Sequence, residues 1–333
     1  MQRPRFLPDN FTLALIATVT LASLWPAQGV MAQFFEGLTT AAIALLFFLH
    51  GAKLSRAAVV AGLGHWRLHL LVLACTFALF PVLGLLLKPL FSAVLTPDLA
   101  VGMLFLCTLP ATVQSAIAFT AMARGNVSAA VCSASASSLI GVFITPLLVG
   151  WLVVPGGVSG AGELEAVGRI MLQLMLPFAA GQLMQPLIGG FVKKHAAGLK
   201  FVDQGSILLV VYTAFSAAVI EGLWKQIPVS ALLGLLLVCA VLLALALTLT
   251  TFTARKLGFD KADEITIVFC GSKKSLASGI PMAKVLFASH AVGAIVLPLM
   301  LFHQMQLMVC AVLAQRYARR GQEAKAASLK TAE

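Results

Sequence analysis

Ten apolar stretches joined by short polar connections dominate the chain. They run over about 11–28, 36–53, 66–88, 98–122, 127–153, 167–191, 205–221, 228–254, 264–288 and 291–315. A helix needs roughly 20 apolar residues to cross about 30 Å of hydrocarbon. So much apolar surface cannot be hidden inside a single soluble globule. Of the 333 residues, 60% are hydrophobic and 11% charged, against about 45–50% and about 25% in soluble domains. A cytosolic enzyme, a disordered chain and a disulfide-stapled secreted module are excluded. The pattern predicts an all-α polytopic membrane protein with ten transmembrane helices.

The charges test that count. The net charge is +11, from 23 Lys and Arg against 12 Asp and Glu. The basic residues lie singly or in pairs between apolar runs, with no basic aromatic face of the kind that binds nucleic acid. With a cytoplasmic N-terminus, 17 of them fall in the N-terminal segment, alternate loops and the tail, including Arg3, Arg5, Lys53, Arg56, Arg124, Lys193, Lys200 and Arg255. Only Lys88, Arg169 and Lys225 fall on the opposite side. Lys and Arg collect in cytoplasmic loops, and one missed helix would scramble the alternation after it. Both termini are therefore expected in the cytoplasm, in a cell (inner or plasma) membrane. Arg3 and Arg5 ahead of an apolar run also fit a signal peptide; equally apolar segments continue to the far end, so we read a first span. The six cysteines all lie inside apolar runs without CxxC spacing, as packed hydrophobes do.

The Gly- and Ser-bearing segment Pro155–Glu165 divides the spans five and five. An odd number of crossings in each half makes the halves oppositely oriented if they share a fold, and inverted repeats of this kind are a common transporter plan. The expected organisation is a first five-helix repeat over 1–154, an external linker over 155–166, a second repeat over 167–316, and a solvated cytoplasmic tail over 317–333.

Irregularities fall at matching places in the two halves. In the fourth span Pro110 removes a helix hydrogen bond, and Thr112, Gln114 and Ser115 follow. The ninth span carries Gly271, Ser272, Lys273, Lys274, Ser275, Ser278, Gly279 and Pro281. Lys273 stands nine residues beyond Glu264, roughly 13 Å along a helix, which is near the midplane. A lysine there costs at least about 2.5–3.5 kcal/mol, and no Asp or Glu lies deep in any span to pair it. The two lysines can face carbonyl ends of broken helices, bind an anionic solute, or stand neutral. Interrupted helices in corresponding positions point to a transporter's binding site. In the fifth span Ser135 and Ser138 share a helix face and can line a polar path or simply allow close packing. In the tenth, His303 and Gln304 lie mid-span, where a histidine can serve proton coupling or an interhelical hydrogen bond.

Arg124-Gly-Asn-Val with the following Ser/Ala-rich helix, Thr145-Pro-Leu-Leu148, Cys270-Gly-Ser-Lys-Lys-Ser-Leu276 and Leu297-Pro-Leu-Met-Leu-Phe-His-Gln304 resemble the bile acid:sodium symporter family, in its YfeH-like and cotransporter 7-like branch. The resemblance covers nearly the whole chain. It implies ten helices in two inverted repeats, with helices 4 and 9 broken and crossing, and with helices 1, 2, 6 and 7 forming a panel beside a six-helix core. It also implies two sodium sites. At the positions that match the family's side-chain sodium ligands, however, this chain has Val268, Ser272, Ala130, Ala134 and, on helix 4, Ser115-Ala116. Most of the ligands are absent, and a cation site without a carboxylate is weak. The expectation is a sodium-independent carrier in which Lys273 or Lys274 supplies the positive charge.

The leading functional reading is a secondary transporter of an organic, anionic solute, working by alternating access. Its contact residues are expected to be Thr112, Gln114, Ser115, Ser135, Ser138, Ser272, Lys273, Lys274, Ser275, His303 and Gln304. The expected partners are a small-molecule solute and the lipid bilayer, with no cofactor, no bound metal and no nucleic acid. The alternative, implied by eukaryotic members of that branch, is a membrane regulator of calcium homeostasis that moves no solute. An enzyme has no support, since HExxH, Gly-x-Ser-x-Gly and paired intramembrane carboxylates are all absent.

Overall fold

Helices start where the sequence supplies a proline or a capping side chain. Pro97 occupies the first turn of its helix, and the Asn126, Asp260 and Ser275 side chains accept hydrogen bonds from Ala129 N, Asp263 N and Ser278 N. The computed structural model describes residues 10–53, 65–153, 161–287 and 292–330, which contain helices and no strands. In chain order these are α1 (Asn10–Leu24), α2 (Gly29–Lys53) and α3 (Trp66–Val94, with a π-helical turn at Cys75–Leu79). There follow α4 (Pro97–Thr108), α5 (Gln114–Met122), α6 (Val127–Leu152), α7 (Ala161–Lys194) and α8 (Ala196–Ile220). After a single turn at Leu223–Gln226 come α9 (Val229–Lys256), α10 (Lys261–Gly271), α11 (Leu276–Leu286) and α12 (Val292–Lys330).

Among the described residues, seven helices are long and apolar enough to cross a membrane. The other three expected crossings fall on α1, which has only 15 residues, and on the two interrupted pairs α4–α5 and α10–α11. The outer surface is apolar: Leu187 is 83% exposed and Val30 81%, which in water would be a large unfavourable patch. The expected linker lies partly outside the described residues, and its part from Ala161 onward is already helix α7. Arg3, Arg5 and Arg56 also lie outside them. The C-terminal helix passes the expected end of the second repeat at residue 316, and Tyr317 is buried with its hydroxyl donating to Glu264 at 3.2 Å. The aromatic side chain holds this part of the tail against α10.

The helix pairs with the most contact fall into two sets, which also touch through α8 on α11 and α12 and through α6 on α7. α2 lies chiefly against α7, and α1 against α8, while α4 packs on α12 and α10 on α9, α3 and α5. The α2–α7 contact rests on two reciprocal glycines. A Cβ at Gly51 would stand 2.1 Å from Phe178 O, and one at Gly181 would stand 1.9 Å from Phe48 O. Small residues let membrane helices touch backbone to backbone. Gly51→Ala and Gly181→Ala are each expected to cost about 1–3 kcal/mol, read as a lower melting temperature of the detergent-solubilised protein. Because both open one contact, the double variant should lose clearly less than the sum of the two.

Candidate functional site

Both interrupted pairs unwind at their middles, and the two breaks touch. Residues 109–113 separate α4 from α5, and 272–275 separate α10 from α11. Ser275 N donates to Pro110 O at 2.9 Å, joining one break to the other. Side chains of α6 close the fourth-span break from the other side: Ala111 N donates to Ser137 Oγ at 3.0 Å, and Thr145 Oγ1 donates to Thr108 O at 2.9 Å. Gly141 gives Pro110 its place, since a Cβ there would stand 2.5 Å from Pro110 Cβ. The Arg124-Gly-Asn-Val turn anchors the base of the ninth span. Asn126 Nδ2 donates to Asp263 Oδ1 at 2.9 Å, and Thr266 Oγ1 donates to Asn126 O at 3.1 Å.

Lys273 and Lys274 are fully buried. Lys274 Nζ donates to Thr76 O at 2.8 Å, Cys107 O at 3.1 Å and Leu109 O at 2.7 Å. An ammonium has three N–H donors, so this group is saturated, and it also stands 4.2 Å from the centre of the Phe80 ring. Two of its acceptors are carbonyls at the C-terminal end of α4, the negative end of that helix dipole. The third lies in the π turn of α3, a local geometry frequent at functional sites. Lys273 Nζ donates to Ser115 O at 3.2 Å and lies 3.7 Å from the Phe119 ring centre and 5.8 Å from that of Phe269. Of the three possibilities for the lysines, Lys274 shows an ammonium facing a carbonyl end, whereas the one carbonyl that Lys273 meets lies in the first turn of α5. In this arrangement Lys274 has no donor left for a solute.

Beside the crossover lies a cavity of about 390 Å³. Seven of the expected contact residues line it: Thr112, Gln114, Ser115, Ser135, Ser138, Ser275 and His303. Ser272, Lys273, Lys274 and Gln304 are not among its lining. Ser272 Oγ turns back onto Val268 O at 2.6 Å, and Gln304 Oε1 accepts from Thr12 Oγ1 at 2.8 Å. The cavity also takes in His50 and Lys53 from α2 and Lys200 and Asp203 from α8, with Lys53 and Asp203 paired. An adjoining pocket adds Lys193. Three ammonium groups against one carboxylate make this mouth cationic.

Sequence reasoning missed that mouth, because Lys53 lies far along the chain from Lys193 and Lys200. It also missed Gln306, whose side chain binds the ninth-span break: Lys274 N donates to Gln306 Oε1, and Gln306 Nε2 donates to Lys274 O, both at 3.0 Å. The available signal was the i, i+3 spacing from His303, which puts both side chains on one helix face. Ala130, Ala134 and Val268, which the resemblance aligns with sodium ligands, are apolar and fully buried.

An ion pair links the two groups of helices away from this mouth. Glu36 Oε2 and Lys284 Nζ pair at 2.9 Å between α2 and α11. Seventeen residues of α2 separate Glu36 from Lys53, roughly 25 Å along the helix, so this pair and the open mouth lie at opposite ends.

The chain is 60% identical over 319 residues to YfeH of Escherichia coli, which carries a symporter's name, covering 96% of this chain and 95% of the relative. It is 68% identical over 327 residues to an uncharacterized protein of Pseudomonas aeruginosa, covering 98% of each. Sodium/bile acid cotransporter 7 of Rattus norvegicus is 28% identical over 315 residues, covering 93% of this chain and 92% of the relative. The family model for the SBF-like CPA transporter family matches residues 9–319. With helical spans, a polar cavity at touching helix breaks and that match, the chain belongs to the SBF-like CPA transporter family, whose members are membrane transporters and not enzymes.

Proposed function

We propose that the protein carries an organic anion across the membrane by alternating access at the crossover of its fourth and ninth spans, without sodium. The observation that carries this reading is the saturated ammonium of Lys274. It fills a cluster of three carbonyl oxygens, the kind of hard ligand a sodium ion would otherwise need. A tethered cation thereby stands where an exchangeable one would be bound. The solute sits in the adjoining cavity, held by Thr112, Gln114, Ser115, Ser135, Ser138, Ser275 and His303, and drawn in by Lys53, Lys193 and Lys200. Lys273 and Lys274 act on it from behind the wall as fixed positive charges at the broken helix ends.

The full architecture under this reading is ten crossings in two inverted five-helix repeats, with both termini cytoplasmic. The split pairs α4–α5 and α10–α11 each count as one crossing, in corresponding positions of the two repeats. The lysine-rich mouth then opens to the cytoplasm, where the basic loops belong, and Glu36–Lys284 closes the outer side.

Three outcomes test the proposal. In proteoliposomes, with taurocholate as the probe anion, initial uptake should be equal in sodium and in potassium medium; a strict sodium requirement refutes the tethered-cation reading. Lys274→Gln removes the charge from three buried carbonyls and should lower uptake at least about tenfold, equivalent to about 1.4 kcal/mol in the barrier, while also lowering the melting temperature. Glu36→Lys should open the outer side. An ion pair this exposed is worth about 0.2–1 kcal/mol, so a cysteine placed at Ser138 should label up to about fivefold faster with an impermeant thiol reagent applied from outside. The charge-swapped pair Glu36→Lys/Lys284→Glu should return labelling to the starting rate.

A further inference from the structure

We infer that His50 is a proton-binding site in the solute cavity, and that the proton it takes at Nε2 accompanies the anionic solute. The half-buried ring stands on α2 with Nδ1 2.7 Å from Leu46 O, one turn back along the same helix. A carbonyl oxygen only accepts, so Nδ1 carries a hydrogen in every protonation state of the ring. The other nitrogen, Nε2, makes no hydrogen bond among the described residues and is not sealed off. His50 lines the cavity of about 390 Å³ together with Gln114, Lys53 and Lys200. The backbone of α2 thus fixes the tautomer and leaves one nitrogen to titrate.

For an anion the two states of this nitrogen are opposites. In the neutral ring Nε2 is an acceptor, and its lone pair repels the oxygens of a carboxylate or a sulfonate. In the imidazolium Nε2 is a donor, and its hydrogen bond to such an oxygen is assisted by both charges. Turning the neutral ring over to offer its Nδ1 hydrogen instead would break the bond to Leu46 O. The hydroxyls of Thr112 and Ser138 can meet a solute at any pH, whereas His50 binds an anion only when it holds its proton.

The titratable and charged groups around the ring are Lys53 on its own helix, Lys200 and Asp203 on α8, Lys193 on α7 in the adjoining pocket, and His303 on α12, which shares the cavity. Asp203 is paired with Lys53, and neither Lys193 nor Lys200 has a carboxylate partner among the described residues. In the empty cavity a positive charge on His50 adds to this repulsion. A bound anion brings the opposite charge into the same space, so proton and anion favour each other's binding, and by equal factors. Binding takes one proton from water onto Nε2, and loss of the anion on the other side returns it to water. This coupling rests on the transporter reading; the accessible, titratable Nε2 does not.

Two measurements test the inference. Diethyl pyrocarbonate acylates only an unprotonated ring nitrogen, and in the solute-free protein in detergent at pH 7.0 it should label His50, read by mass spectrometry of the peptide; an unlabelled His50 overturns the local claim. In proteoliposomes loaded with a pH-sensitive dye, inward taurocholate flux without sodium should acidify the lumen. Uptake should also be at least about fivefold faster at pH 6.0 than at pH 8.0, an interval over which imidazole titrates and the sulfonate of the probe does not. In His50→Gln the acidification should vanish and the pH ratio fall to about one. Uptake without acidification in the wild type, or acidification of wild-type size in His50→Gln, overturns the coupling. Should His50→Gln fail to fold, acidification and pH ratio in the wild type, with the labelling, still decide. If the wild type takes up no taurocholate, the transporter reading fails and the coupling with it, while the labelling alone decides whether His50 is an accessible base.

Discussion

Unwinding a helix in hydrocarbon strands peptide groups where water cannot reach them, at a cost of several kcal/mol for each one left unpaired. At the crossover, several such groups are met by specific partners. Ser275 N finds Pro110 O, Ala111 N finds Ser137, Thr108 O finds Thr145, and both polar atoms of the Lys274 backbone find Gln306. The Lys274 ammonium then gathers Cys107 O, Leu109 O and Thr76 O at a single point. Hydrogen bonds to a charged donor are each worth about 1.5–3 kcal/mol, and three of them offset much of what burying the charge costs. The breaks and the buried lysine are thus one construction. Remove the ammonium and the broken ends repel one another; close the helices and the ammonium has no acceptors.

A cation fixed by a covalent tether differs from a bound ion in one respect that matters for transport. It stabilises the broken helices permanently and cannot leave, so under the proposed reading no sodium gradient is available through it. Uphill movement of solute then needs another exchangeable charge at the same place. His303 is joined through Gln306 to the backbone of Lys274.

How much of this was legible in the sequence follows from the range of each interaction. The apolar runs and the alternation of basic loops are local signals, and each long helix of the structure falls on one of the expected spans. Pro110, Gly271 and the serines around Lys273 marked the breaks because they act on their own backbone. Depth along a helix also came through, which is why two lysines nine and ten residues past Glu264 were expected to be buried. Direction around a helix did not: from the stretch Phe302–Gln306 the sequence drew attention to Gln304, yet Gln304 turns to Thr12 while Gln306 turns to the break. The π turn that presents Thr76 O leaves no mark in Cys75–Leu79, an ordinary apolar run. The cluster of Arg255, Lys261 and Tyr317 on Glu264, like the lysine mouth, joins residues from separate segments, and no single-chain pattern announces such a meeting.

The kinds of contact also differ across the molecule in a way that locates where it can move. Within the α2–α7 pair the backbones touch through Gly51 and Gly181, and the crossover is locked by a saturated charge. Neither can deform gradually, because close-packed contacts are lost all at once. Between the two groups of helices, two polar links stand among the described residues. Thr12 meets Gln304, and Glu36 meets Lys284 with the Glu36 side chain half exposed; a hydrogen bond and an exposed ion pair are each worth about 1 kcal/mol or less. α12 also comes close to α8, where a Cβ at Gly293 would stand 2.8 Å from Ala218 Cβ. Under the proposed reading, one unit slides against the other along this seam. The cavity takes its lining from both groups of helices, and under the proposed reading such a slide changes which end of it is open while the broken helices and their lysines travel intact.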